Sequence, residues 1–321
     1  MTGRVFTGMP FGQSVLAAAL LLLLALASCT SPGQLPTLAA VAATVPPPTL
    51  TASPKPATQT LLPPPAPAPT SSAAPCASPG RIETGVFSSA VAGPSAYRIY
   101  LPPCYGLDGR VYPILYMLPG NIHDESIWDE LGLDEAAEEA ILSGQVPPFL
   151  IVMPDGGWIA TNTSGGPGSY EVVIIDELIP AIEASFCAWV DRQGRAIGGL
   201  SRGGYWALEI AFRHLDRFSS VGGHSAALLD IAAGPDLNPQ FTGLSSDLGD
   251  LRIYFDIGRD DYAIHNIRQL HEEMVAAVIP HSWVLNEGGH SEEYWAAHVG
   301  EYVAWYAAAW DANREHYPDC P

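Results

Sequence analysis

The stretch AIGGLSRGGYW, residues 196–206, sets one serine among four glycines with an aromatic pair directly behind it. Upstream, RAIGGL (195–200) is a continuous apolar run of strand length. Downstream, GGYWALEIAFRHL (203–215) spaces its apolar residues at three and four, as a helix does. Ser201 therefore falls where a strand turns into a helix, and Gly199-Leu200-Ser201-Arg202-Gly203 fits the G-x-S-x-G nucleophile elbow. So sharp a turn strains the serine backbone and lifts its hydroxyl above the sheet. Side chains two residues before and two after would collide, and glycine avoids the collision. The helix start also turns free N–H groups and a positive dipole end toward a developing oxyanion.

The rest of the chain repeats the alternation. VYPILYML (111–118), PFLIVMP (148–154), FSSVGGHS (218–225), LRIYFDIG (251–258) and HSWVLNE (281–287) are apolar runs of the kind that strands covered on both faces display. Helical spacing marks DELGLDEAAEEAIL, SYEVVIIDELIPAIEASF, IHNIRQLHEEMVAA and EEYWAAHVGEYVAWYAAAW. RIETGVFSSA and SAYRIYLPP alternate around VAGPS and predict an antiparallel hairpin ahead of them. The expected fold is α/β: a mostly parallel sheet with helices on both faces and an N-terminal hairpin.

A serine nucleophile needs a base and an orienting acid, in the chain order serine, carboxylate, histidine. GRDD (258–261) and GGH (288–290) close two successive predicted strands, where strand C-termini deliver active-site loops. The remaining histidines have simpler readings. His214, His265, His271 and His298 lie in helical patterns, His281 opens a strand, and His316 sits in the C-terminal tail. His123 and His224 stand near strand ends within reach of a pocket, with structural roles the simpler assignment. No pair has metal-ligand spacing, and neither a metal nor a cofactor is expected.

Of 321 residues, 34 are acidic and 14 basic, a net charge of −20, and Lys55 is the only lysine. Binding a phosphate backbone needs clustered cations, so nucleic acid is not an expected partner. The acidic surface also disfavours docking to anionic lipid. The N-terminus offers a different route to a membrane. Thirteen apolar residues, Val15 to Ala27, are too few to span a bilayer but suit the core of a secretory signal. Leu26-Ala27-Ser28-Cys29 resembles the bacterial lipobox, which makes residues 1–28 a lipoprotein signal and Cys29 the lipidated mature terminus. Residues 29–80, rich in Pro, Ala and Thr, form an expected tether, and the catalytic domain spans 81–321. Such a protein is exported and anchored facing away from the cytoplasm. Cys76, Cys104, Cys187 and Cys320 then make an even set in an exported protein, with three possible pairings. The hairpin favours Cys76–Cys104, Cys187–Cys320 follows by elimination, and free buried thiols are the alternative.

YRIYLPPCY, YPILYMLPG, AIGGLSRGG and GGH, with VMPDG and DELIPAIE between them, resemble the putative-esterase family of α/β-hydrolases over residues 80–310. That family includes esterase D, enterochelin esterase, feruloyl and acetyl-xylan esterases and mycolyltransferases. The resemblance implies an α/β-hydrolase fold with Ser201 as nucleophile and His290 as general base. Its acid stands three residues after a strand-end glycine, which makes it Asp261 after Gly258, with Asp260 the runner-up. It implies oxyanion N–H groups from Arg202 and from Asn121, although Pro119 stands where the family often has histidine. The implied activity is hydrolysis of a small-molecule or polysaccharide-linked ester or thioester through an acyl-enzyme. One alternative is acyl transfer from the same site, and another is a non-catalytic surface module that binds carbohydrate. The substrate depends on pocket loops such as DGGWIATNTSGGPGSY (155–170).

Overall fold

The computed structural model describes residues 77–229, 233–245 and 247–321. The signal-like segment, Cys29, Cys76 and all but the end of the expected tether lie outside the described residues. Eight strands form one sheet: β1 (Arg81–Ser89), β2 (Gly93–Leu101), β3 (Ile114–Leu118), β4 (Leu150–Pro154), β5 (Arg195–Leu200), β6 (Ser220–His224), β7 (Arg252–Gly258) and β8 (Ser282–Asn286). Their order is β1-β2-β4-β3-β5-β6-β7-β8. β1 and β2 make the antiparallel hairpin, β2 joins β4 antiparallel, and every later pairing is parallel. The helices are α1 (Ile127–Glu130), α2 (Leu133–Leu142), α3 (Gly157–Asn162), α4 (Tyr170–Val172), α5 (Ile179–Glu183), α6 (Arg202–Arg213), α7 (Pro239–Ser245), α8 (Ile264–Ala276) and α9 (Glu292–Ala307). None among the described residues is long and apolar enough to cross a membrane.

The unbroken apolar runs follow from two covered faces. Ile114, Tyr116 and Leu118 of β3 belong to one buried cluster, whereas Leu115 and Met117 belong to the other. β4 divides the same way, Leu150 and Val152 against Ile151 and Met153. Side chains alternate across a strand, so covering both faces makes every position apolar. α9 approaches the sheet where side chains are missing: a Cβ on Gly198 or Gly222 would lie 2.0 Å from the Tyr306 hydroxyl.

Several boundaries depart from the sequence pattern for local reasons. DELGLDEAAEEAIL is two helices, because Gly132 takes φ +83° between α1 and α2. The helix expected over SYEVVIIDELIPAIEASF contains a π-helical turn, Val173–Leu178, just before Pro180. Proline offers no N–H and crowds the carbonyl four residues earlier, which the wider turn accommodates. The loop DGGWIATNTSGGPGSY contains α3, and α7 was not foreseen at all. The tail is fastened by the disulfide Cys187–Cys320, with Cα atoms 5.4 Å apart. Arg314 adds an ion pair to Asp108 across the same region. Cys104 is also disulfide-bonded.

Candidate active site

β5 is buried along its whole length and stops at Leu200. Ser201 follows at φ 54°, ψ −116°, and α6 begins at the next residue. A non-glycine residue in that region costs roughly 1–3 kcal/mol and persists only where its surroundings impose it. Here they do. The Ser201 N–H donates to the His224 carbonyl at 2.9 Å, and its own carbonyl accepts from Tyr205 and Ala227 at 3.1 and 2.9 Å. The surrounding glycines are sterically required. A Cβ on Gly199 would lie 2.4 Å from the Gly203 backbone, and one on Gly203 would lie 2.3 Å from the Leu118 carbonyl oxygen.

The loops after β7 and β8 are laced together by backbone. Arg259 N–H donates to the Asn286 carbonyl at 2.8 Å, and Asp260 N–H donates to the Gly288 carbonyl at 2.9 Å. A Cβ on Gly258 would meet the Gly288 oxygen at 2.3 Å. This lacing brings Asp261 under His290. Imidazole Nδ1 lies 3.0 and 2.9 Å from the two Asp261 oxygens, and Nε2 lies 2.8 Å from Ser201 Oγ. Asp261 is 2% exposed, and the Ala263 N–H donates to its Oδ1 at 2.7 Å. Asp260, one residue earlier, faces solvent. Ser201, His290 and Asp261 thus form one hydrogen-bonded line in which a proton on Nδ1 leaves Nε2 to accept from the serine.

These residues open into a cleft of about 340 Å³ lined by Gly120, Asn121, Ile122, His123, Ser201, Tyr262, His290 and Trp295, among others. Asn121 and Ser201 therefore share one cavity. Arg202 contributes differently from end to end. Its backbone opens α6, where a helix start directs N–H groups outward. Its guanidinium is buried and runs away toward the 160–164 segment. Tyr262 and Trp295 were not singled out by sequence, yet both pack on the imidazole, with ring centroids 4.4 and 5.0 Å away. Their only signal was proximity, one residue after Asp261 and five after His290. His123 reaches the cleft, and its Nε2 lies 3.4 Å from Glu292. His224 does not: it is fully buried, 2.7 Å from Asp256 and 3.0 Å from the Tyr306 hydroxyl.

Behind the nucleophile, α6 carries an ionic cluster. Arg213 pairs with Glu171 and with Glu209 at 2.5 and 2.7 Å, and His214 lies 2.6 Å from Glu171. Despite its burial, Glu171 is held down to about 2 by bonds from His214, Arg213 and the Gly166 N–H. Burial, and then the charge of Glu171, push the Glu209 carboxyl up to about 8. Among the described residues, no group of three His, Cys, Asp or Glu side chains is arranged to hold a metal ion.

Comparison with known proteins agrees with this architecture. The family described as "Putative esterase" matches residues 88–306. An esterase of Mycobacterium tuberculosis is 35% identical over 145 residues, 43% of this chain and 30% of its own length. An endo-1,4-beta-xylanase/feruloyl esterase of Xylanibacter ruminicola is 33% identical over 156 residues, 44% of this chain and 21% of its own. The chain thus matches less than a third of either relative. A solved ferulic acid esterase superposes with TM-score 0.66 at 26% identity, covering 72% of this chain and 99% of that one.

Proposed function

Because the chain belongs to the esterase family of α/β-hydrolases, we propose that it is a serine esterase cleaving a carboxylic ester or thioester through an acyl-enzyme on Ser201. His290 Nε2 takes the hydroxyl proton as Oγ attacks the carbonyl carbon. The Arg202 and Asn121 N–H groups receive the oxyanion, and the Asp261 carboxylate stabilises the imidazolium. The imidazolium returns its proton to the departing alcohol or thiol, and water then repeats the sequence to free the acid. The observation that carries this reading is the 2.8 Å approach of His290 Nε2 to a strained serine while Nδ1 rests on a buried carboxylate. The likeness to a ferulic acid esterase supports feruloyl esters as the acyl class to try first.

In this reading residues 1–28 direct export, Cys29 carries the lipid, and residues 29–80 tether a catalytic domain beginning at 81. The apolar run ending in Leu26-Ala27-Ser28-Cys29 supports it. The experiment is hydrolysis of aryl, methyl and sugar esters of acetate and ferulate, with and without an added alcohol acceptor. Wild type turns over at least one ester, and Ser201→Ala and His290→Ala each remove nearly all of that rate. Acyl transfer outrunning hydrolysis would make the protein an acyltransferase. Ser201→Ala retaining wild-type rates would end the proposal.

A further inference from the structure

Of the side chains packed on His290, Asp261 and Trp295 are each 2% exposed, whereas Tyr262 is 63% exposed. Burial therefore does not explain a tyrosine at this position. Its backbone is nevertheless fixed. Asp261 and Ala263 on either side are buried, the Asp261 N–H donates to the Gly258 carbonyl at 3.2 Å, and the Ile264 N–H donates to the Asp261 carbonyl at 3.2 Å. This turn holds the Tyr262 ring centroid 4.4 Å from the imidazole and the phenol oxygen 3.3 Å from Nε2. Among the described residues that hydroxyl has no other hydrogen-bond partner.

Nε2 is the atom through which every proton of the proposed reaction passes. With the other ring proton on Nδ1 beside Asp261, Nε2 offers one lone pair, and two hydroxyls compete for it: Ser201 Oγ at 2.8 Å and Tyr262 Oη at 3.3 Å. The serine has the shorter contact. Once it attacks, its proton fills that lone pair and Nε2 becomes a donor. The tyrosine O–H then loses its acceptor just as negative charge gathers on the departing oxygen, the atom that must come to Nε2 for its proton. A hydroxyl beside Nε2 is placed to donate to that oxygen. It gains this bond only while the ester bond breaks, and an interaction made only then accelerates the step.

We infer that Tyr262 is a further catalytic residue, whose hydroxyl hydrogen-bonds the departing oxygen of the ester as the acyl-enzyme forms. The inference rests on the esterase reading above. In that step the bond from Ser201 Oγ to the acyl carbon forms, and the bond from the acyl carbon to the leaving oxygen breaks. The proton that Nε2 took from Ser201 moves to the leaving oxygen, while Tyr262 keeps its own proton throughout. In the second half of the reaction water takes the place of the departed alcohol and meets the same hydroxyl. A phenylalanine would supply the same ring contact to the imidazole, so the work of the hydroxyl is separable from packing.

The test is Tyr262→Phe in the full chain, assayed on the methyl, trifluoroethyl and p-nitrophenyl esters of an acid that the wild type turns over. The quantity read is kcat/KM, which covers the steps up to loss of the leaving group. Methoxide needs a hydrogen-bond donor most and p-nitrophenoxide, stable as the free anion, needs it least. The loss on the methyl ester therefore exceeds the loss on the p-nitrophenyl ester by about tenfold or more, with the trifluoroethyl ester between them. A loosened cleft or partial unfolding would lower all three alike. A loss no greater on the methyl ester than on the p-nitrophenyl ester makes Tyr262 a packing residue and overturns the inference. A wild type that hydrolyses no ester, with Ser201 inert to a fluorophosphonate, fails the esterase reading itself.

Discussion

Gly203→Ala should separate the elbow's geometry from its chemistry, because the substitution adds one methyl group and removes no functional atom. Its φ lies outside the left-handed range, so alanine meets no backbone strain there and the cost is one of space. The new Cβ would lie 2.3 Å from the Leu118 carbonyl oxygen and 2.6 Å from that of Pro119. Reaching the 3.4 Å of ordinary contact requires a displacement of about 1.1 Å between α6 and the 118–121 segment. Neither neighbour yields easily, since both atoms are backbone. Overpacking of this kind costs roughly 1–3 kcal/mol, and for a domain of this size about 2–4 °C in Tm per kcal/mol. The displacement also separates Ser201 from the proposed Asn121 donor, and a misplacement of about 1 Å costs on the order of a hundredfold in rate. Steady-state kinetics on an aryl ester should therefore show kcat down about a hundredfold with KM little changed, alongside a lowered Tm by calorimetry. Gly300→Ala on the exposed face of α9 is the control. Nothing lies within 4 Å of its Cβ, so it should keep wild-type kinetics and gain about 0.5–1 kcal/mol. Wild-type kcat and Tm in Gly203→Ala would refute the steric account of the elbow.

Asp261→Asn should lower kcat by about 10⁴, because an amide turned to donate to Nδ1 puts the imidazole proton on the wrong nitrogen; Asp260→Asn should stay within about twofold, and the reverse order in stopped-flow or steady-state assays would move the acid to Asp260. Glu209 takes its proton more readily folded, near 8, than unfolded, near 4.5, so its contribution to stability falls as pH rises between those values. Glu209→Gln should then gain several degrees of Tm over wild type at pH 9 relative to pH 5, and a difference independent of pH would contradict this. Cys29→Ala should shift the protein from the membrane to the soluble fraction when expressed with its own N-terminus in a bacterium; unchanged partitioning would sink the lipid anchor.

Much of this architecture was legible because single residues constrained it locally. The run RAIGGL has the length and unbroken apolar character of a strand covered on both faces, and the elbow's glycines marked the turn that follows it. The paired loops after β7 and β8 were legible as strand ends carrying Asp and His. What escaped depended on tertiary contact. α3 hides in a stretch dense in glycine, threonine and asparagine, and its conformation is imposed by Arg202, Tyr205 and Trp206 from another element. The structural reading of His224 holds, but the Asp256 and Tyr306 contacts that fix it could not be read, since neither partner is near it in sequence. Tyr262 and Trp295 gained their place at His290 only when two loops met. The break at Gly132 and the π-turn before Pro180 left weaker marks, since either residue can also occur within an undivided helix.

The central claim is that His290 activates the hydroxyl of Ser201, and covalent labelling tests it without any assumption about substrate. The full-length protein is treated with a fluorophosphonate, and the adduct is located by peptide mass mapping. Stoichiometric labelling at Ser201, slowed by orders of magnitude in His290→Ala and absent in Ser201→Ala, is the predicted result. Labelling at another residue, or at Ser201 with the same rate in His290→Ala, would contradict it.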